Sequence, residues 1–192
     1  FKYETAHNSG RFSDEIIPIT IPQRKSKDII FNKDEHPRLS SVEVLGNLRA
    51  AFKDGGSVTA GNSSGVNDGA AALMVVSEEA LKRYNLEPIV EIISSAAVGV
   101  SPDIMGIGPV NATLKAVKRA GISLQDIDLV ELNEAFAAQS IACIRDLSID
   151  PDIINVNGGS IAIGHPLGAS GARIVSTLIH ELNRRKTAKY AL

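Results

Sequence analysis

Cysteine is nearly absent from this chain of 192 residues: Cys143 is the only one. A single thiol excludes an internal disulfide and suits a reducing compartment, so the expected location is cytoplasmic. No Cys-based metal site can form, and His7, His36, His165 and His180 are too scattered to hold a metal by themselves. No apolar run approaches the roughly 20 residues of a membrane-spanning helix. The net charge of −2 provides no basic footprint for nucleic acid or an anionic membrane. A Gly-Lys-Ser/Thr phosphate loop is missing, and Gly164, Gly168 and Gly171 do not have dinucleotide-loop spacing. Residues Phe1 to Asn8 lack the charged and apolar regions of a signal peptide. Without an initiator methionine, Phe1 is not expected to be the natural start.

What is present is ordinary globular composition, 44% hydrophobic and 22% charged, at a length suited to one or two domains. The first forty residues look irregular and polar. Within them Asp14–Ile21 reads as a strand, with Pro18 suited to an edge or bulge, and 23–28 as a charged hairpin or loop with a solvated basic face. A short helix over Ser41–Phe52 is stopped by Asp54-Gly55-Gly56, and a loop of small residues follows over Ser57–Gly69. From residue 70 onward strands and helices alternate. Strands are predicted over 70–76, 89–98, 128–132 and 153–156, and Tyr190–Leu192 reads as the start of another. Helices are predicted from Ser77 to about Asn85, from Pro109 to a C-terminal Gly121, from Ala135 to about Leu147, and from about Ala169 to Arg185. Ser123 and Asp126 form a capping-type pair. Ile174, Val175, Leu178, Ile179 and Leu182 line one face of the last helix, and Arg184, Arg185 and Lys186 sit at its negative dipole end. This alternation means an α/β layered architecture, without repeats of solenoid period.

Two stretches carry the chemistry. In Asn155-Val-Asn-Gly-Gly-Ser-Ile-Ala-Ile-Gly-His-Pro-Leu-Gly-Ala-Ser-Gly171, an imidazole lies between an apolar strand and a helix. Gly158, Gly159, Gly164 and Gly168 flank it, positions suited to positive φ or close backbone approach, and Pro166 fixes the following φ. Strand–helix junctions of this kind are where α/β proteins bind ligands. The plainer reading is a structural histidine on a glycine turn. In Asp128-Leu-Val-Glu-Leu-Asn-Glu-Ala-Phe-Ala-Ala-Gln139, Asn133 falls at a strand's carboxyl end, at or just before a helix N-terminus, where an N-cap is the ordinary role.

Together, Gly164-His165-Pro166 and Asn133-Glu-Ala-Phe136 resemble the thiolase superfamily, and the Gly-Ala-Ser-Gly ending is most similar to biosynthetic acetoacetyl-CoA thiolases. The resemblance implies the thiolase fold, two similar halves with helices between and outside their sheets. Residues 1–66 would then finish a loop domain, 67–87 would complete the N-terminal half, and 88–192 would form most of the C-terminal half. It also implies an acyl-CoA acyltransferase, condensing two acetyl-CoA or cleaving acetoacetyl-CoA, with no tightly bound cofactor and coenzyme A thioesters as substrates. His165 would activate a nucleophilic thiol, and Asn133 would hold a water in an oxyanion hole, a role compatible with capping. The family's nucleophilic and acid/base cysteines match nothing in this chain. Cys143 lies at neither position and reads as a small buried residue, so the chain alone is expected to be inactive.

For the CoA arm, the resemblance points to Ala60 and Ser64, although a plain turn also accounts for that loop. Phe52, Ala135 and Phe136 match apolar positions around the same tunnel or are simply core, and Arg38 falls near the adenine end. Val44 stands where the family has a second CoA-contacting serine. Homo-oligomers, dimeric or tetrameric, are the family's usual state, and apolar faces are expected to be exposed in this chain. The alternatives are a non-catalytic module that binds CoA or thiolase-like partners, and a degradative 3-ketoacyl-CoA thiolase. Asn133, where a ketoacyl synthase would carry a histidine, argues against that relative.

Overall fold

Three short segments meet in parallel at the centre of the molecule: Val130 bridges Ile154, and Leu129 bridges Ala191. Their backbone bonds are regular, with the Val130 amide donating to Ile153 O at 2.9 Å and the Leu192 amide to Leu129 O at 2.9 Å. Leu129 and Val130 are 1% and 5% exposed, as strands covered on both faces should be. The computed structural model describes all residues, 1–192.

Around this centre lie helices α1 (Lys2–Asn8), α2 (Val42–Gly46), α3 (Glu78–Tyr84), α4 (Gly108–Ala120), α5 (Ala137–Leu147), α6 (Ser160–Ile163) and α7 (Ser170–Arg184), and a hairpin of β1 (Ile19–Ile21) and β2 (Ile29–Phe31). Val117 of α4 and Leu147 of α5 pack with Ile127, Val130, Ile149 and Ile154 into the main core. Proline in the first turn of α4 and left-handed Gly121 (φ 70°) after its last residue delimit that helix as the sequence indicates. Ser77 caps α3 by accepting from the Ala80 amide, and left-handed Asn85 ends it. The Ser123–Asp126 pair forms a complete capping box on a short 3-10 turn.

Several expectations are corrected. The N-terminal stretch is not irregular: α1 buries Tyr3 and Ala6 with Phe12 against Ala162 and Ile163. Seven residues with two inward positions carry too little periodicity to be read. The strand at 14–21 begins only after Pro18, at Ile19, and pairs antiparallel with β2. The helix at 41–52 shortens to 42–46, because its residues are exposed and no packing extends it. Segments 70–76 and 89–98 form no ladder, because no strand lies beside them to accept their backbone bonds. Their apolar side chains face outward, with Met74 and Val75 82% and 74% exposed. The second segment is held by α4 side chains, Arg119 donating to Ser95 O at 2.6 Å and Lys115 to Ala97 O at 3.0 Å. In α7 the buried face is the polar stripe Ser170, Thr177 and Glu181, while Val175 of the apolar stripe is 38% exposed. Arg184 and Arg185 pair with buried Glu181 at 3.1 and 2.8 Å, so a carboxylate, more than the helix dipole, holds them there.

Asn155 ties the central segments together beyond their backbone bonds. It is 3% exposed and left-handed (φ 44°). Its amide accepts from the Leu132 amide at 2.8 Å and donates to Leu132 O and Glu134 Oε1, both at 2.8 Å. Asn155→Ala strands these groups and places alanine in a disfavoured backbone region, and is expected to cost about 3 kcal/mol. Asn155→Gly relieves the backbone part and should cost about 1 kcal/mol less. Urea denaturation measures both, and an alanine variant within about 0.5 kcal/mol of the parent would contradict the clamp.

Candidate active site

The histidine turn is built on α6, which ends at Gly164. Gly164 has φ 95°, and a Cβ there would run into the Asn67 side chain. The next amide, from His165, donates to Gly65 O at 3.0 Å, docking the turn on the small-residue loop. Glycine at 159 has a different reason, since the Glu134 carboxylate occupies the space of its missing side chain. Gly168 meets neither expectation, having an ordinary φ and open space around it.

His165 and Asn133 converge. The Asn133 Nδ2 lies 3.3 Å from His165 Nε2, and His165 Nδ1 lies 2.6 Å from Ser170 Oγ. Asn133 Oδ1 accepts from Ser160 Oγ at 2.6 Å, and Ser160 is fully buried. The N-cap reading of Asn133 is overturned: α5 starts at Ala137, four residues on, with Phe136 at its cap position and no side-chain cap bond. Phe136 is extended, and Ala135 and Phe136 pair with the small-residue loop, while the Asn133 carboxamide faces the imidazole.

That loop meets the Asn133 segment directly. Ser63 bridges Phe136 antiparallel, and the Ser64 amide and hydroxyl donate to Ala135 O at 3.0 and 3.3 Å. Phe52 packs edge-on against Phe136 at 5.8 Å between ring centroids. Ser64, Ala135, Phe136 and Phe52 thus line one surface. Phe52 is 76% exposed, which excludes it from the core of this chain. Ala60 lies exposed on the same loop. Arg38 stands apart, exposed, with no hydrogen bond or ion pair to the others. Cys143 is fully buried, its thiol donating to Gly106 O at 3.4 Å. Burial pushes that thiol's pKa up, so it has the character of a packing residue and not of a nucleophile.

Two family models match the chain, "Thiolase, C-terminal domain" over residues 86–192 and "Thiolase, N-terminal domain" over 2–79. The chain belongs to the thiolase family. It is similar to an acetyl-CoA acetyltransferase of Syntrophomonas wolfei, 53% identical over 186 residues, 96% of this chain and 47% of the relative. The crystal structure of the Bacillus anthracis acetyl-CoA acetyltransferase superposes with a TM-score of 0.91 at 49% identity, over 96% of this chain and 47% of that one. A human mitochondrial 3-ketoacyl-CoA thiolase in complex with CoA gives 0.86 at 44% identity, over 99% and 47%. This thiolase chain therefore spans about half the length of the relatives it matches.

Behind the two motif residues lies a set that the sequence did not single out: Glu134, Asn155, Ser160, Ser170 and the Arg173–Glu131 pair. Glu134 Oε2 accepts from the Ile161 amide at 3.2 Å while Oε1 takes the Asn155 amide, so one carboxylate spans both thiolase motifs. Arg173 donates to Ser160 Oγ at 3.1 Å and lies 3.5 Å from Glu131. A polar stripe at 170, 173, 177 and 181 was the available signal, masked by the apolar stripe beside it.

Glu131 and Glu15 share Arg173 as counter-charge, and Glu134 lies close to Glu131. Burial, against the attraction of Arg173 and with the repulsion of the other two, pushes Glu131 up to about 8 from 4.5. A carboxyl whose pKa rises on folding stabilises the folded chain fully below its unfolded value, and that contribution is lost as pH climbs through the folded one. The window is therefore 4.5 to about 8. Glu131→Gln removes this titration, so its unfolding free energy relative to the parent should improve steadily from about pH 5 to about pH 8. A difference independent of pH, measured by urea denaturation in parallel buffers, would contradict the shift.

Proposed function

We propose that this chain is the oxyanion- and histidine-bearing portion of a thiolase-type acyltransferase that condenses two acetyl-CoA or cleaves acetoacetyl-CoA. The observation that carries the reading is the 3.3 Å approach of Asn133 Nδ2 to His165 Nε2. In the working enzyme His165 Nε2 takes the proton of a cysteine supplied by the remainder of the protein. The thiolate then attacks the thioester carbonyl, the departing CoA thiolate takes a proton from a second cysteine, and the acyl group rests on the first cysteine's sulfur. That second cysteine, now a thiolate, removes the α-proton of the next acetyl-CoA, and the resulting carbanion attacks the acyl-cysteine. The enolate oxygen is received by protonated His165 and by a water on Asn133, donors set in place before charge develops. Nothing in this scheme asks for a metal or a tightly bound cofactor.

Coenzyme A thioesters are the proposed substrates. Their pantetheine arm would pass along Ala60 and Ser64, over Ala135, Phe136 and Phe52, with Arg38 toward the adenine end. The exposed position of Phe52 against Phe136 supports this, because it offers an apolar wall that the core does not use. The whole protein is proposed to be a homo-oligomer, a dimer or tetramer. A degradative 3-ketoacyl-CoA thiolase is the second reading, favoured by similarity to the human enzyme of that name.

The isolated chain should not turn over acetoacetyl-CoA. Co-expression with the two cysteine-bearing segments of an acetyl-CoA acetyltransferase should restore thiolysis. In that assembly His165→Ala is expected to lower the rate by about 10²- to 10⁴-fold, and Asn133→Ala by about 10²- to 10³-fold. An assembled complex that stays silent, or one indifferent to His165→Ala, would overturn the proposal. Faster turnover of long 3-ketoacyl-CoA than of acetoacetyl-CoA would select the degradative reading.

A further inference from the structure

We infer that Ser170 is a positioning residue that holds His165 in its Nδ1–H tautomer, leaving the Nε2 lone pair facing Asn133. The argument starts at Arg173, whose guanidinium can only donate. It gives a proton to Ser160 Oγ at 3.1 Å, and Ser160 passes its own proton to Asn133 Oδ1 at 2.6 Å. The carboxamide is thereby oriented with its NH2 group toward His165. An NH2 group has no lone pair to offer, so Nε2, 3.3 Å away, must accept. In a neutral imidazole an accepting Nε2 means that the proton sits on Nδ1. Nδ1 lies 2.6 Å from Ser170 Oγ, and the Ser170 hydroxyl proton is directed to Pro166 O at 3.1 Å. The serine oxygen is thus free to accept from Nδ1.

Every link therefore runs in one direction, from Arg173 through Ser160, Asn133, His165 and Ser170 to a backbone carbonyl. The reverse arrangement turns the Asn133 NH2 group onto Ser160 Oγ, which Arg173 already donates to, and leaves the hydroxyl proton of fully buried Ser160 without an acceptor. Ser160 and Ser170 are 0% and 4% exposed, so water does not substitute for either link. The catalytic meaning rests on the function proposed above: a lone pair held at Nε2 is the form that accepts a thiol proton. The tautomer itself does not depend on that reading.

The test uses the 192-residue chain, labelled with ¹⁵N-histidine, and long-range ¹H–¹⁵N correlation at about pH 8, where an ordinary histidine is neutral. For the His165 ring, Nε2 should resonate at the unprotonated, pyridine-like end and Nδ1 at the protonated, pyrrole-like end. Ser170→Ala keeps a good helix former at the start of α7 and should move both resonances toward averaged positions. Ser170→Thr should restore the parent pattern. Should Ser170→Ala lose its folded amide fingerprint, Ser170→Cys supplies the same comparison with a weak acceptor of similar size. A pyrrole-like Nε2 in the parent, or ring resonances unmoved by loss of the hydroxyl, would overturn the inference. A parent of the expected tautomer whose reconstituted enzyme shows no thiolysis would instead leave this inference standing and remove the function.

Discussion

The site depends on a buried carboxamide and a half-buried carboxylate that lock two strand ends at a fixed offset. Asn155 completes the ladder beside Leu132 with its side chain, in place of backbone that has already turned away. Glu134 then holds both that carboxamide and the Ile161 amide. A shift of one residue between the segments would break all four bonds at once. Because Asn133 follows one strand and His165 the other, their approach is a consequence of this register. The charge of Glu134 is spread over two well-directed donors, which is how a half-buried anion is kept without a cation in direct contact.

Helix α7 shows how the interior is divided. Its buried face is polar, with Ser170 against the imidazole, Arg173 against Ser160, Thr177 donating to Glu15 at 3.2 Å and Glu181 receiving Asn157 at 3.0 Å. Burial alone would raise Glu181, but the bonds from Asn157 and Arg185 and the nearby Arg11 bring it below the usual carboxylate range. Such networks are demanding, since any unmet member costs more than an apolar residue in its place. In return, each side chain has few alternative partners, and the imidazole inherits that restriction.

Much of this was legible in the residues themselves. The helices that follow residue 76, the proline and glycine that bound α4, the Ser123–Asp126 box and the strand character of Tyr190–Leu192 all rest on local rules, and the structure follows them. The meeting of His165 with Asn133 was legible through the resemblance, because no spacing rule places residues 32 positions apart side by side. What stayed hidden was long-range or short-periodic. Helix α1 is too brief to show a period, and Ser160, Ser170 and Glu134 matter only through partners on other elements. Segments 70–76 and 89–98 carry β-forming composition, yet a strand is defined by a neighbour, and composition does not supply one.

Helix α1 sits beneath the histidine turn, with Tyr3 against Gly158 and Lys2 donating to Ile154 O at 2.8 Å across a separation of 152 residues. Contacts at such large sequence separation are entropically the most expensive to form and raise contact order. The floor under the imidazole is consequently assembled late, after the local helices have formed. During synthesis residues 2–8 must wait without these partners until the segment 154–163 has emerged from the ribosome.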